Sequence, residues 1–352
     1  MKSNNKDILE KAENALRASL MKVPFLDISA KERDISVTDF RVHLIATLSV
    51  GQKQRRIVLE VKSNGQPRMV RTAAYQLQRY LQDNPDTYGM IAAPYISPQA
   101  ADICVKEGIG YLDLAGNCRI TFDQVYIEQT GNPNPFAQKR DLRSLYSPKA
   151  ARVLRVLLND PKRPWKVQAL AAEASVSLGQ VSNVKSLLED REWLTGSNAG
   201  FLLNAPEQLL AEWAGNYNFR KNTIRNYYSL KSVVDIEADL AAAGDEFGIP
   251  YALAGFSAAA RFAPSVRYQR AMAYVSRDTE EIVRKLSLKE VSSGANVTLL
   301  TPYDAGVLYG ARVIDGIRVT APVQTYFDLL GSKGRGEEAA TTLLEGVIRK
   351  SW

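Results

Sequence analysis

Between Leu145 and Asn204 the chain reads LYSPKAARVLRVLLNDPKRPWKVQALAAEASVSLGQVSNVKSLLEDREWLTGSNAGFLLN, and no other stretch limits the fold so tightly. Residues 151–158 gather Val153, Leu154, Val156, Leu157 and Leu158 into a mostly apolar helix, stopped by Asn159-Asp160-Pro161. Residues 166–174 predict a short second helix with Val167, Leu170 and Ala171 inward. Ser175-Val176 forms a tight turn, and Ser177 is the expected N-cap of a third helix over 178–189. Residues 193–195 and 201–203 read as two short strands joined by Gly196-Ser197-Asn198-Ala199-Gly200.

Three helices followed by a small hairpin is the order of a winged helix-turn-helix. Its third helix would enter the major groove of DNA. The helical period puts Val181, Val184, Leu187 and Leu188 on one face. Gly179, Ser182, Asn183 and Ser186 lie opposite, with Gln180 and Lys185 on the flanks. Amide, hydroxyl and ammonium groups donate and accept the hydrogen bonds that read base edges. Around the helices stand Lys139, Arg140, Arg143, Lys149, Arg152, Arg155, Lys162, Arg163 and Lys166, opposed only by Asp141 and Asp160. Arg143, Lys149, Arg152, Lys162, Arg163 and Lys166 are therefore the expected phosphate contacts. A protein-contact module of three packed helices is the alternative.

The whole chain agrees with a nucleic-acid partner. Its 352 residues carry a net charge of +7, concentrated around this middle stretch. An apolar fraction of 45% and a charged fraction of 24% suit a globular protein of two or three domains. No apolar run reaches the roughly 18 residues of a membrane span, and the polar start MKSNNKDILEKAENAL does not read as a signal peptide. Cys104 and Cys118 lie outside any metal-ligand spacing. The expectation is a reduced, cytoplasmic protein without a membrane partner. With His43 the single histidine, neither a histidine-rich metal site nor a Ser-His-Asp triad is expected.

Residues 1–140 alternate helix and strand. Helices are expected over 7–20, 69–81 and 97–107, and strands over 35–49, 56–62, 88–93, 110–114 and 119–122. Residues 129–135, QTGNPNP, are a linker by composition. The strand Arg56-Ile57-Val58-Leu59-Glu60-Val61-Lys62 ends in Glu-x-Lys, and its period of two puts Glu60 and Lys62 on one face. A pair of carboxylates beside a lysine can hold a divalent cation and activate water; Asp34 and Asp39 are the upstream carboxylates. Gln76 and Tyr80, at i and i+4 on the next helix, share a direction.

Asp39, Glu60, Lys62, Gln76 and Tyr80, with the later YGMIAAPYISPQAADICVKEGIGYLDLAG, resemble the PD-(D/E)xK nuclease pattern. The resemblance implies a restriction-endonuclease-like α/β domain, with these five residues catalytic and Asp39 and Glu60 holding Mg²⁺ or Mn²⁺ if the domain is active. Glu10 or Glu13 could add a carboxylate. A symmetric turn at residues 51–54 would set His43, instead of Asp39, opposite Lys62. An inactive DNA-binding platform of the same fold is the other reading. Asp113-Leu114-Ala115-Gly116-Asn117 is read as a tight reversal more than as a second polar site.

Residues 206–352 form a C-terminal α/β domain, opening with a helix over 206–216 that carries Trp213. The aromatic stretch 217–228 interleaves Arg220, Lys221 and Arg225, and helices and strands alternate from there to a last helix over 337–349. Gly255 and Ser257 follow an apolar strand, as a nucleotidyltransferase-like phosphate turn would, yet Asp278 is the one carboxylate after the next strand, too few for a two-metal site.

The winged helix, VSSGANVTLLTPYDAGV and PVQTYFDLLGSKGRGEEAA, in that order, resemble the AbiEi family, antitoxins and transcriptional regulators of type IV toxin–antitoxin systems. The resemblance implies a repressor of its own operon, beside a nucleotidyltransferase-like toxin that it counters without a tight complex. The expected architecture is α/β multidomain: a nuclease-like domain over 1–140, a central winged helix-turn-helix over 141–205 and an AbiEi-like α/β domain over 206–352. The expected function is a regulator binding double-stranded operator DNA, a task that needs no cofactor. A metal-dependent nuclease steered to DNA by the winged helix is the alternative, and a scaffold whose flanking domains bind partners is a third.

Overall fold

A computed structural model describes residues 2–37, 40–50, 53–135, 145–264, 267–276, 279–332 and 335–352. Side chains at 2–6, 27–31, 33–37, 40–42, 50 and 53 are not described. The chain is mixed α/β and divides into two compact units, one of residues 1–141 with 188–192, the other of 142–187 with 193–352.

The first unit holds helix α1 (Lys2–Leu20), strands β1 (Leu26–Val37), β2 (Phe40–Val50) and β3 (Lys53–Val61), helix α2 (Pro67–Asp83), β4 (Thr87–Ala93), α3 (Pro98–Lys106), β5 (Gly110–Asp113), β6 (Cys118–Phe122) and β7 (Val125–Gln129). The seven strands make one sheet in sequence order. β3, β4 and β5 run parallel, and the outer pairs are antiparallel.

Both faces of the sheet are covered, and the alternation of side chains decides which residue goes where. Ile8, Ala12, Leu16 and Leu20, four apart on α1, pack with Ile57, Leu59 and Val61 on one face. Val58 and Ile45 turn the other way, into a core with Val70, Ala73, Ala74 and Leu77 of α2. Helix α3 starts where Ser97 accepts the Ala100 N–H at 3.3 Å, with Pro98 in the first turn.

One strand expected over 35–49 is two. Val37 pairs with Phe40, and β1 extends back through the charged Lys31-Glu32-Arg33-Asp34, a composition that hides a strand. β7 begins before the stretch read as a linker.

The second unit opens with α4 (Pro148–Asn159), α5 (Val167–Glu173), α6 (Leu178–Asp190, of which 188–190 are counted with the first unit) and the hairpin β8 (Leu194–Ser197) and β9 (Gly200–Leu203). Ser147 caps α4 and Ser177 caps α6, each accepting an N–H three residues on. Trp165 bridges Phe201 in antiparallel fashion, adding a third extended segment to the hairpin. Gly200 has φ +141°, and a side chain there would collide with the Trp165 carbonyl.

Next come α7 (Pro206–Asn216), β10 (Thr223–Tyr228), α8 (Val233–Glu246), β11 (Tyr251–Leu253), α9 (Gly255–Phe262), β12 (Ala271–Val275), α10 (Thr279–Lys285), β13 (Lys289–Glu290), β14 (Val297–Thr301), β15 (Arg312–Ile314), β16 (Ile317–Val319), α11 (Pro322–Leu330) and α12 (Gly336–Leu343). The sheet order is β13-β10-β14-β12-β11-β16-β15. Ile236 and Leu240 of α8 pack with Leu253, Ala273 and Leu299 of the sheet. Ala259 of α9, Leu329 of α11 and Leu343 of α12 form a neighbouring cluster. The helix expected over 337–349 passes through a π-turn at Leu344–Ile348.

Among the described residues, no helix is long and apolar enough to cross a membrane. Cys104 and Cys118 are buried free thiols, and burial pushes that of Cys104 up to about 12.

Candidate functional site

On α6 the inward residues Val181, Val184 and Leu188 have no exposed surface, and Leu187, expected beside them, is half-buried. Ser182, Asn183 and Ser186 are exposed on the other side, Gln180 and Lys185 intermediate. The Lys185 ammonium sits 5.6 Å from the centre of the Phe201 ring on β9, tying the helix to the hairpin. A side chain at Gly179 would meet open space.

The basic residues expected to face phosphate divide into groups. Lys149, Lys162 and Lys166 are exposed and make no ion pair among the described residues. Arg163 is exposed too, its guanidinium stacked 4.0 Å over the Trp165 ring. Arg143, Lys139 and Arg140 lie outside the described residues.

Arg152, expected at phosphate, and Arg155, counted in the surrounding charge, are both engaged within the protein. The Arg152 guanidinium is held by Asp304, Nε to Oδ1 at 2.7 Å and one terminal nitrogen to Oδ2 at 2.8 Å. Arg155 is 3% exposed. It donates to Gln324 Oε1 at 2.6 and 3.2 Å and to the Tyr303 hydroxyl at 3.3 Å, and it lies over the Trp213 ring at 5.1 Å.

Behind Arg155 the network continues inward. The Gln324 amide nitrogen donates to Asp328 Oδ1 at 2.8 Å and to the Tyr217 hydroxyl at 2.9 Å. The Tyr274 hydroxyl also donates to Asp328 Oδ1, at 2.7 Å. Gln324 thus bridges a buried guanidinium and a buried carboxyl group that do not touch. Burial pushes the Asp328 carboxyl up to about 7, against hydrogen bonds from Tyr274 and Gln324 and the charge of Arg155. Its second oxygen has no hydrogen-bond partner. Sequence reasoning passed over Tyr303, Asp304, Gln324 and Asp328. The available signal was Gln324 and Asp328, one turn apart on a mostly apolar helix.

In the first unit Glu60 is 3% exposed, on the sheet face that packs against α2. Its Oε1 is 2.7 Å from Lys62 Nζ, and its Oε2 is 3.0 Å from Nδ1 of His43. The same Nδ1 lies 3.2 Å from the Val61 N–H. That nitrogen carries either a proton for Glu60 or a lone pair for Val61, so the two contacts exclude one another at any instant. Leu44 pairs with Leu59, so residue 43 faces residue 60, not Lys62. Asp39 lies outside the described residues, and the side chain of Asp34 is not described. Gln76 and Tyr80 are half-buried on α2, over the same sheet face. Glu10 is exposed on α1, and α1 covers the opposite face.

Two further polar clusters are structural. The Asp113 carboxylate accepts from the N–H groups of Ile96, Ala115 and Asn117 and from the Asn117 side chain, at 2.8–3.2 Å, which fixes the reversal between β5 and β6. Ser257 is fully buried, its Oγ accepting the Met272 N–H at 3.0 Å, so the hydroxyl is spent on the backbone of β12. Asp278 lies outside the described residues.

No curated protein matches this chain. Three solved structures are similar at 18% identity: the EndoMS-dsDNA2 complex (TM-score 0.22, covering 29% of this chain and 44% of that one), a repair endonuclease from Pyrococcus abyssi (TM-score 0.22, 29% and 46%) and EndoMS in apo form (TM-score 0.21, 29% and 45%). This chain spans less than half the length of each. The C-terminal stretch, residues 202–349, matches a protein family described as "Transcriptional regulator, AbiEi antitoxin, Type IV TA system".

Proposed function

We propose that the protein is a transcriptional regulator that binds operator DNA through a winged helix-turn-helix over residues 145–204, with α6 as the recognition helix and the hairpin as the wing. One observation carries this reading: α6 buries Val181, Val184 and Leu188 and leaves Ser182, Asn183 and Ser186 exposed, short hydrogen-bonding groups suited to base edges. Lys149, Lys162, Arg163 and Lys166 supply the charge for phosphates. The family match over 202–349 supports the regulatory role, and with it a toxin as the counterpart of the antitoxin activity.

The test is binding to the DNA upstream of the protein's own gene, across a salt titration. The wild type should lose affinity steeply with salt. Replacing Lys149 and Lys162 by Gln should weaken specific and random DNA alike and flatten the log–log slope by up to about two units. Binding indifferent to salt in the wild type would defeat the reading.

A further inference from the structure

The resemblance of residues 1–140 to PD-(D/E)xK nucleases implies a divalent cation on Glu60 and a second carboxylate. The residues present do not fit one. Mg²⁺ and Mn²⁺ favour about six oxygen ligands, near 2.0–2.1 Å for Mg²⁺. Glu60 brings one carboxylate, with Lys62 Nζ 2.7 Å from one oxygen and the His43 ring nitrogen 3.0 Å from the other. No group of three or more His, Cys, Asp or Glu able to hold a metal occurs among the described residues. The register sets an imidazole, not a carboxylate, across from Glu60.

The electrostatics agree. A carboxylate this deeply buried needs a compensating positive charge, and a bound cation is the usual remedy in such a site. Here the chain supplies its own. Lys62, two residues on and on the same strand face, reaches back over Glu60 with its side chain 18% exposed. His43 stands beside the other oxygen with 21% of its side chain exposed.

We propose that the Glu60 site is cation-independent: the Lys62 ammonium and the His43 ring occupy the two oxygens that a divalent ion would need, and the nuclease-like domain does not cut DNA. His43 is the residue that decides this. Replacing it with Asp sets a second carboxylate opposite Glu60 and gives a cation the oxygen ligands it lacks.

The test uses the full chain and Mn²⁺ as the probe, read by calorimetric titration and by thermal melting with Mn²⁺ or chelator. The wild type and Glu60→Gln should bind Mn²⁺ equally weakly and melt at temperatures that neither additive moves. His43→Asp should gain a Mn²⁺ site at least roughly tenfold tighter than any in the wild type, with a melting temperature that rises on adding the ion. A one-to-one wild-type Mn²⁺ site lost in Glu60→Gln overturns the proposal, as does Mg²⁺- or Mn²⁺-dependent plasmid cleavage lost in that variant. A folded His43→Asp protein that gains no site overturns the role given to His43. The comparison of wild type with Glu60→Gln stands even if His43→Asp does not fold. Operator binding through α6 is measured separately and does not enter this result.

Discussion

Arg152 and Asp304 clasp each other through two parallel hydrogen bonds of 2.7 and 2.8 Å, joining α4 to the turn after β14. Burial pushes the Asp304 carboxyl up, but the hydrogen bonds from Arg152 and the Gly306 N–H outweigh it and hold the group below its ordinary value. The pair is partly exposed, so Arg152→Ala should cost about 1–2 kcal/mol in denaturant unfolding. Asp304→Ala on that background should cost less than it does alone. The folded value is depressed, so the contribution is complete above the unfolded carboxyl's value, about 4, and fades as pH falls through the folded one. Strictly additive single and double variants would show that the clasp does not matter.

Asp328 should give the opposite slope. Its folded value, about 7, stands above that of an unfolded aspartate. The protonated form is therefore favoured by folding. Its stabilisation is complete below about pH 4, declines as the pH climbs to about 7, and then levels. Asp328→Asn keeps an oxygen for the Tyr274 hydroxyl and the Gln324 amide and cannot ionise. Relative to the wild type it should gain stability between pH 5 and pH 8, approximately the window set by those two values. Urea unfolding at the two pH values checks this, and parallel behaviour of both proteins would refute it.

Base reading should reside on the exposed side of α6. Asn183→Ala and Ser186→Ala should each cost about 1–3 kcal/mol on operator DNA and little on random DNA. Val184→Ala, on the buried side, should lower stability by about 0.5–2 kcal/mol while leaving base preference intact in the folded fraction. Competition binding against single-base operator variants separates the two outcomes.

The wing should depend on Gly200. At φ +141°, with the Trp165 carbonyl against its Cα, alanine is strained twice over. Gly200→Ala should destabilise the hairpin by about 1–3 kcal/mol and raise amide exchange at Trp165 and Phe201, whose N–H groups bridge to each other's carbonyls at 2.7 and 2.9 Å. Unchanged exchange there would show that the bridge does not hold the hairpin.

Regular elements with strong punctuation were readable from the residues. The helix expected over 206–216 has those bounds, opened by Pro206. The strand β4, mostly apolar and set between parallel neighbours, also emerged. The strand β1 did not, because its alternation is interrupted by four charged residues whose side chains say nothing about backbone pairing. Counting charge around α4 put Arg155 on the surface. The helical period gave no warning: Arg155 shares a stripe with Arg152 and Asn159, and what encloses it is Trp213, Tyr303 and Gln324, partners distant in sequence. Glu60 and Lys62 do meet, as their spacing of two implies, but a two-residue shift in hairpin register decides which β2 side chain stands opposite them, and the turn sequence does not fix that shift.

The captive Arg155 has a consequence for anyone who would transplant the reading head. Residues 145–204 have the size of a portable cassette, yet the arginine is roofed by Trp213, Tyr303 and Gln324, all supplied from outside that stretch. Trp352 adds another bond, its indole N–H donating to the Leu158 carbonyl at 2.8 Å. Cut out alone, the segment would turn the apolar flank of α4 to water and lose the partners of both its inner arginines. Grafts meant to redirect this protein to new DNA should therefore exchange side chains on α6 in place and leave the helix beneath it untouched.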